Sequence, residues 1–375
     1  MEEEILKLIE KHEKHRRRGI NLIASENVLS REALKALHCD LAGRYGSNWY
    51  GGSRYAEEIK EKVEELAKKL FNAKYAFITP LSGNICDLAV IFSFTKPFDE
   101  IAGIAKEDGG YPLGYEKFDR RFYPLPVKDY VINAEELEKI KKDFPLVLIA
   151  SSIILFPHPL EAIAKKFRHN IVYDASHVLG LIAGKEFQNP LKYCQAMIGS
   201  THKSFPGPQG GIILTNDSWV AEKLSKYLLF DYEEGIGLVD NPHLNRIASL
   251  GIVMEEMLKN GREYAKQTIK NAKYLAKCLD ELGVPIKFAE KGYTESHQIL
   301  LNLGEETFNF FKKLEENHIF IDCIGRIGTA EVTHIGVGEK EMEEIAHMIA
   351  DVYKGKNVKD KAIKIAKEFY EKFYE

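Results

Sequence analysis

The sequence predicts an α/β fold in which a mostly parallel sheet carries helices on both faces and a smaller α+β domain follows. Short apolar runs alternate with segments of helical periodicity through the middle of the chain, which is typical of buried parallel strands joined by helices. The 375 residues are 45% hydrophobic and 29% charged, which suits a large globular core. We expect an N-terminal helix and arm at 1–30, a large domain at 31–240 and a small C-terminal domain at 241–375.

The first part of the chain is predicted to be mainly helical. We expect an amphipathic helix at 2–16, a loop at 21–27 and helices at 31–41 and 56–71, where apolar residues recur every three or four positions. The segment 43–52 is rich in glycine and aromatic residues. It suits either the close approach of backbone to a ligand or a plain connection between helices.

Five apolar runs are the predicted strands of the large domain, at 75–79, 146–151, 170–174, 196–200 and 211–215. A helix is predicted at 159–168, between the second and third runs. Parallel sheets bind ligands at the carboxyl ends of their strands. Because Asp174 and Lys203 fall at or just beyond such ends, we expect the functional site there.

The smaller domain is predicted to begin with a long helical region from 241 to 282. A break is expected near Gly261, since glycine weakens a helix interior. The predicted strands that follow lie at 298–302, 318–322 and 331–335. The predicted helices lie at 305–316, 339–353 and 358–374.

The charge balance argues against two classes of partner. The chain has 52 basic and 56 acidic residues, interspersed, for a net charge of −4. Neither nucleic acid nor an anionic membrane surface is therefore expected as the main partner. The N-terminus does not resemble a signal peptide, and no run is long enough to span a membrane. Five scattered cysteines without a CxxC pair indicate a cytoplasmic protein with neither a disulfide framework nor a metal site.

Lys203 stands between an apolar strand and a Pro/Gly loop, within 198–212. Most lysines in loops are surface residues. Desolvation, however, lowers the pKa of a lysine amine and makes it a carbonyl-capturing nucleophile. Asp174 ends a predicted strand one strand–helix–strand step earlier. The pair fits pyridoxal 5′-phosphate, whose aldehyde needs an amine and whose ring nitrogen needs a carboxylate to stay protonated.

Further residues offer what this cofactor and its substrate need. Ser82, Gly83 and Asn84 join an apolar run to a helix start, where free N–H groups and the helix dipole suit a phosphate, although most such turns are only turns. Arg326 suits bidentate binding of a substrate α-carboxylate.

Two histidines complete the set of candidates. His177 and His202 are placed to contact the cofactor ring, its phenolic oxygen or a substrate proton. Either histidine alone is more often structural, and Asp174 alone could be a cap or turn residue. The joint arrangement favours the cofactor site.

Six motifs make the sequence recognisable, and they lie at 21–27 (NLIASEN), 50–52 (YGG), 82–83 (SG), 173–184 (YDASHVLGLIAG), 201–211 (THKSFPGPQGG) and 325–329 (GRIGT). On these motifs the chain resembles the serine hydroxymethyltransferase family over nearly its whole length. The resemblance implies the fold-type-I architecture of pyridoxal-phosphate transferases, with a mostly parallel sheet of the seven-stranded type. It also implies a homodimer, or a dimer of dimers, with shared active sites.

The resemblance implies a role for each matching residue. At the cofactor these are phosphate contacts from Ser82, Gly83 and Asn84, phenolic-oxygen contacts from Ser152 and His177, the ring-nitrogen contact of Asp174, and Ser200 and His202 beside the covalent attachment at Lys203. At the substrate they are carboxylate contacts from Ser25 and Arg326, and active-site contacts from Tyr45 and Tyr50, the latter in its own or the partner subunit.

Four departures from the family pattern bear on the reaction. The segment after Tyr45 lacks the family's catalytic glutamate, and the folate-binding insertion before Arg326 is absent. The histidine that stacks on the cofactor appears as Asp108, which leaves Tyr111 as a substitute. In the family, a pair of glycines contacts the cofactor phosphate of the partner subunit. The corresponding positions here, 240–241, are Asp and Asn. The first two losses argue against tetrahydrofolate as a cofactor.

We therefore expect a pyridoxal-phosphate enzyme that acts at the α-carbon of a small amino acid. The expected reaction is folate-independent aldol or retro-aldol cleavage of a serine- or threonine-like β-hydroxy amino acid to glycine. Alternatives are a tetrahydrofolate-dependent serine hydroxymethyltransferase, and transamination, racemisation or β-elimination on the same cofactor. A non-catalytic paralogue with the same fold is the alternative from another class.

Overall fold

The computed structural model describes residues 4–47, 49–229, 233 and 235–375. The chain divides into two compact units. One is Leu29–Ala265, and the other combines the residues up to Val28 with Lys266–Glu375. The boundary between the units falls inside a long helix, whereas the sequence predicts a domain boundary at 240/241. The division into domains at 30 and 240 stays a prediction.

The helices of the described residues are α1 (Glu4–Arg16), α2 (Arg31–Leu37), α3 (Arg54–Phe71), α4 (Gly83–Phe94), α5 (Ala134–Leu137), α6 (Leu160–Phe167), α7 (Leu179–Ala183), α8 (Ser218–Leu228), α9 (Leu244–Glu281), α10 (Thr307–Glu316), α11 (Ala330–His334), α12 (Glu339–Tyr353) and α13 (Lys359–Tyr374). None of them is long and apolar enough to cross a membrane. The strands are β1 (Ile20–Asn21), β2 (Tyr75–Phe77), β3 (Glu100–Gly103), β4 (Arg121–Pro124), β5 (Val127–Lys128), β6 (Val131–Ile132), β7 (Leu146–Ala150), β8 (Ile171–Asp174), β9 (Ala196–Ser200), β10 (Gly211–Thr215), β11 (Gln298–Leu300), β12 (Ile319–Phe320) and β13 (Arg326–Gly328).

The unit Leu29–Ala265 is built around a seven-stranded sheet in the order β2-β10-β9-β8-β7-β3-β4. Strands β9, β8, β7, β3 and β4 run parallel, while β10 is antiparallel to both of its neighbours. Every residue of β7, β8, β9 and β10 is buried, as expected for apolar runs covered on both faces. The five predicted strands are confirmed. Strands β3 and β4, which were not predicted, lie beyond β7 at the end of the sheet opposite β2.

The other unit has its own apolar core, in which α9, α10, α12 and α13 contribute buried side chains. Its strands pair as β1 with β12, in parallel, and β11 with β13, antiparallel. The pairing of β1 with β12 ties the N-terminal arm to this unit. The pairing of β11 with β13 places Arg326 opposite Leu300.

Two predicted elements are wrong. The segment predicted as a strand at 331–335 lies in α11 and the residue that follows it. Its β-branched residues favour a strand, but Glu331 is buried against Tyr370, so tertiary contacts outweigh local preference. The break predicted near Gly261 is absent, because α9 is continuous. Gly184 packs closely against this part of α9, since a Cβ on Gly184 would lie 2.4 Å from the Gly261 carbonyl oxygen.

Candidate active site

The central sheet brings Asp174 and the Lys203 loop to one edge. Asp174 ends β8 and lies opposite Ile198 of the parallel strand β9. The chain beyond Asp174 stays attached to β9, because the Ala175 N–H donates to the Ile198 carbonyl at 2.8 Å. Strand β9 ends at Ser200, so Lys203 follows at the same edge of the sheet. The predicted location at the strand carboxyl ends agrees with this geometry.

The loop that carries Lys203 is fixed on both sides of the lysine. Thr201 is fully buried, and its Oγ1 donates to the Pro208 carbonyl at 2.6 Å. Ser204 is also fully buried, its Oγ accepts from the Gly180 N–H at 3.1 Å, and its carbonyl accepts from Tyr264 Oη at 2.6 Å. Lys203 itself is only half-buried. Hydrogen bonds thus hold the backbone on both sides of Lys203.

A hydrogen-bond network orients Asp174. The Ser176 Oγ donates to Asp174 Oδ1 at 2.5 Å, and the Ser176 N–H donates to the same oxygen at 2.8 Å. The Ser176 Oγ also accepts from the Ser200 N–H at 2.8 Å. Burial raises the pKa of Asp174, while the charge of Lys203 and the bonds from Ser176 partly offset that effect. Because both bonds from Ser176 go to Oδ1, the carboxylate presents Oδ2 to a ligand. Ser176 was not among the candidates from the sequence.

The predicted phosphate site lies at the start of the 12-residue helix α4. Ser82 is the N-cap, and its Oγ accepts from the Ile85 N–H at 3.2 Å. A Cβ on Gly83 would lie 2.3 Å from Ser200 Oγ and 3.3 Å from Ser176 Oγ, so a larger residue would force Ser200 or α4 to shift. Asn84 is exposed in the first turn. A helix N-terminus with unpaired N–H groups is a suitable anion site.

Asp87 is a site residue that the sequence did not single out. It is 1% exposed, and its Oδ1 has no hydrogen-bond partner among the described residues. It lies one helical turn after Gly83, on the same face of α4, which is the face directed at Ser176 and Ser200. Burial raises the pKa of Asp87 well above its usual range, and the charge of Asp174 raises it further. The sequence feature that could have pointed to Asp87 is an acidic residue inside the apolar run 85–92.

The two candidate histidines differ in burial. His177 is 4% exposed, three residues after Asp174, whereas His202 is half-buried beside Lys203. Burial, with a smaller effect from the Lys203 charge, lowers the pKa of His202 to about 4. The Nδ1 of His202 is buried and has no hydrogen-bond partner within the described chain. His202 is therefore neutral at pH 7 and can accept or donate a hydrogen bond.

The segment around Tyr111 lies against the end of β7. The Tyr111 N–H donates to the Ala150 carbonyl at 3.0 Å, and the Ser152 N–H donates to the Gly109 carbonyl at 2.8 Å. Burial and the charges of Asp87 and Asp174 raise the pKa of Tyr111. Tyr111 therefore lies near Asp87 and Asp174, and its role as the substitute stacking ring stays a prediction.

Tyr45 and Tyr50 form a separate aromatic group. Their rings stack with centroids 4.6 Å apart and planes 19° apart. Together with Trp49 and Asp240 they line a cavity of about 290 Å³. Both tyrosines are partly exposed, at 46% and 36%. Their predicted contacts with substrate stay predictions.

The predicted carboxylate-binding residues lie in the other compact unit. Arg326 is 7% exposed and begins β13, and its Nε donates to Asp322 Oδ2 at 2.7 Å. Ser25 follows Ala24, whose backbone packs against Gly328 of the same strand, since a Cβ on Gly328 would lie 2.4 Å from the Ala24 Cα. The structure therefore brings Ser25 and β13 together within this unit. Asp322 had no assigned role in the sequence-based prediction.

The residues at the sheet edge fit pyridoxal 5′-phosphate. Asp174 would supply a carboxylate for the ring nitrogen, the glycine cradle at Gly83 and the start of α4 would suit the phosphate, and Lys203 would supply an amine. The buried Nδ1 of His202 is a polar atom that still needs a partner. The cofactor would satisfy donors and acceptors that the protein leaves available.

Comparisons with known proteins agree with this assignment. The family model described as serine hydroxymethyltransferase matches residues 1–349. The serine hydroxymethyltransferase of Methanothermobacter marburgensis is 38% identical over 396 aligned residues, covering 96% of this chain and 92% of the relative. That of Methanopyrus kandleri is 35% identical, covering 99% and 93%. The crystal structure of L-threonine transaldolase from Pseudomonas fluorescens, in its internal aldimine state, is 26% identical with a TM-score of 0.86, covering 99% and 91%.

These likenesses confirm the predicted fold type and the predicted cofactor, because both the family and the solved structure are of pyridoxal-phosphate enzymes. The chain belongs to the serine hydroxymethyltransferase family and is a fold-type-I, pyridoxal-phosphate-dependent enzyme of amino-acid metabolism.

Proposed function

We propose that this enzyme cleaves a β-hydroxy amino acid to glycine and an aldehyde without tetrahydrofolate. The observation that carries the proposal is the short connection before Arg326, where the family's folate-binding insertion is missing. The Gly325 N–H donates to the Asp322 carbonyl at 3.1 Å, so 322–325 is a closed tight turn. The L-threonine transaldolase named above also favours aldol-type chemistry at the α-carbon.

The residues of the sheet edge have separate tasks in this proposal. Asp174, held by Ser176, keeps a proton on the cofactor ring nitrogen. The start of α4 would bind the cofactor phosphate, and Lys203 would hold the cofactor through its aldehyde group. When bound, pyridoxal 5′-phosphate stabilises the electron pair left on the α-carbon after bond cleavage. Arg326 binds the substrate α-carboxylate and thereby selects α-amino acids.

Cleavage of the Cα–Cβ bond requires a base for the proton of the β-hydroxyl group. As that proton leaves, the hydroxyl carbon becomes the aldehyde, the bond's electron pair moves to the α-carbon, and a proton then completes glycine. The family's glutamate is missing after Tyr45. His202 is neutral at pH 7 because burial lowers its pKa to about 4, and its Nδ1 can accept a hydrogen bond. We assign proton transfer at the substrate to His202 or His177.

A substrate panel tests the proposal. Glycine and aldehyde are measured from L-serine, L-threonine and L-allo-threonine, each with and without tetrahydrofolate. We expect turnover of at least one of these substrates that does not change when the folate is added. Serine cleavage that depends on tetrahydrofolate would instead support the second candidate, a true serine hydroxymethyltransferase. That candidate is favoured by the names of the archaeal relatives, which are 35–38% identical.

The same panel separates the other reactions of this cofactor. A keto acid would indicate transamination or β-elimination, and a D-amino acid would indicate racemisation.

We also propose a homodimer, on the family resemblance. Light scattering of the purified protein tests it, and a monomer mass would contradict it.

A further inference from the structure

We propose that Asp322 is the positioning residue of the substrate site, which holds the guanidinium of Arg326 so that its two terminal Nη groups face the substrate carboxylate. The inference rests on the proposed role of Arg326. It assigns the selection of α-carboxylates to a pair of residues instead of to the arginine alone.

Asp322 contacts Arg326 twice. Its Oδ2 accepts from Arg326 Nε at 2.7 Å, and its Oδ1 accepts from the Arg326 backbone N–H at 3.0 Å. The pair is well covered, with side chains 8% and 19% exposed for Arg326 and Asp322. Charge-assisted hydrogen bonds in such surroundings are stronger than those of exposed ion pairs. One carboxylate therefore fixes both the backbone and the side chain of Arg326.

The backbone that carries this pair is also fixed. Gly325 has φ +75°, and a Cβ there would lie 2.8 Å from Thr307 Cγ2, so the turn requires glycine. The Gly325 carbonyl accepts from the Leu301 N–H at 2.9 Å, and Arg326 pairs with Leu300 in the strand ladder. Asp322 thus acts from a rigid turn and not from a mobile loop.

Asp322 bonds Nε and the backbone N–H of Arg326, which is the pattern expected of a positioning residue. A guanidinium offers two edges for bidentate binding, one formed by Nε with one Nη group and the other by both Nη groups. Asp322 uses Nε. The edge formed by both Nη groups is the one that we assign to the substrate. A long arginine side chain loses much rotamer entropy on binding a ligand, and Asp322 removes part of that cost in advance.

The test is a double-mutant cycle on the holoenzyme with the variants D322N, R326K and D322N/R326K. Binding of labelled glycine is measured by equilibrium dialysis, next to KM and kcat for the best substrate of the panel. D351N is the matched control, because Asp351 also bonds a cation in this unit, at 2.8 Å from Lys356 Nζ, but on the exposed surface. Melting temperatures verify that each variant is folded.

We expect D322N to weaken glycine binding about tenfold and to raise KM by the same factor, with kcat changed less than about twofold. Because lysine has no Nε donor equivalent, D322N should have little further effect in the R326K background. Unchanged or tighter glycine binding in D322N would overturn the inference. Unchanged binding in R326K would instead refute the proposed role of Arg326 itself. If D322N does not fold, D322E is used instead, because this substitution moves the carboxylate by one methylene. Glycine binding by D322E that is as tight as in the wild type would overturn the inference.

Discussion

Gly83 and Ser200 approach each other so closely that a Cβ on Gly83 would lie 2.3 Å from Ser200 Oγ. The contact joins the start of α4, the predicted phosphate site, to the end of β9, from which the Lys203 loop departs. Ser200 in turn donates its N–H to Ser176, which holds Asp174. One glycine therefore sets the spacing between the predicted phosphate site and Asp174.

We predict that Gly83→Ala destabilises the apoenzyme by about 1–3 kcal/mol, the usual cost of overpacking, and weakens cofactor binding. The double variant Gly83→Ala/Ser200→Ala should recover part of both losses, because it removes the atom that clashes. Urea unfolding and titration with pyridoxal 5′-phosphate measure the two quantities. Equal behaviour of the single and double variants would show that Ser200 is not the source of the effect.

A second prediction concerns Asp87. Burial and the charge of Asp174 raise its pKa in the folded state, whereas the unfolded chain has the ordinary value. The folded apoenzyme therefore binds a proton that the unfolded chain loses, so stability is full below the unfolded pKa and decreases as pH rises through the folded pKa. Asp87→Asn removes the titrating carboxyl and therefore the decrease in stability as pH rises. Its stability relative to the wild type should rise by more than about 1 kcal/mol between pH 5 and pH 8.

Asp143→Asn is the control for this prediction, because Asp143 is exposed in the same compact unit. Its stability is measured over the same pH range, so that the effect of removing a surface carboxylate can be subtracted. A difference between Asp87→Asn and the wild type that stays constant over the same range would mean that Asp87 does not titrate differently in the folded state.

A third prediction concerns His202. Burial, then the charge of Lys203, lowers its pKa to about 4 in the folded chain. The pH dependence of stability that His202 causes is opposite in sign to that of Asp87. The contribution of the neutral His202 ring is fully present above the unfolded pKa of 6.5, and it is lost as pH falls towards 4. Lys203→Met should raise the pKa of the His202 ring in the apoenzyme, because it removes the positive charge but keeps most of the burial. NMR titration of the ring protons measures it, and an unchanged value in Lys203→Met would contradict the coupling.

Much of the fold could be predicted from hydrophobic patterning. The wholly apolar runs that became β7, β8 and β9 have few alternatives to a buried strand, and the helical spacing of α3 is regular. Strands β3 and β4 were missed because β3 is short and β4 is only partly buried at the sheet edge, so neither has a continuous apolar run. Gly261 shows the limit of local preference, since α9 continues through this glycine.

Candidate site residues could be named from the sequence where a residue follows from the chemistry of the cofactor, and their roles stay predictions. Lys203, Asp174 and the Ser82–Gly83 turn each match a functional group of pyridoxal 5′-phosphate. Asp87 and Asp322 could not be inferred in this way, because their importance comes from neighbours distant in sequence or from a turn geometry. Packing brings Asp87 to Asp174, and only the closed turn brings Asp322 onto Arg326.

The most direct test of the central claim is the chemical identity of the residue that binds the cofactor. The purified enzyme is loaded with pyridoxal 5′-phosphate, reduced with borohydride, digested and analysed by mass spectrometry, with Lys203→Ala and Lys185→Ala treated in parallel. We predict a phosphopyridoxyl group on the peptide that contains Lys203 in the wild type and in Lys185→Ala, and its loss in Lys203→Ala. Stoichiometric labelling at another lysine, or labelling that persists in Lys203→Ala, would contradict the assignment.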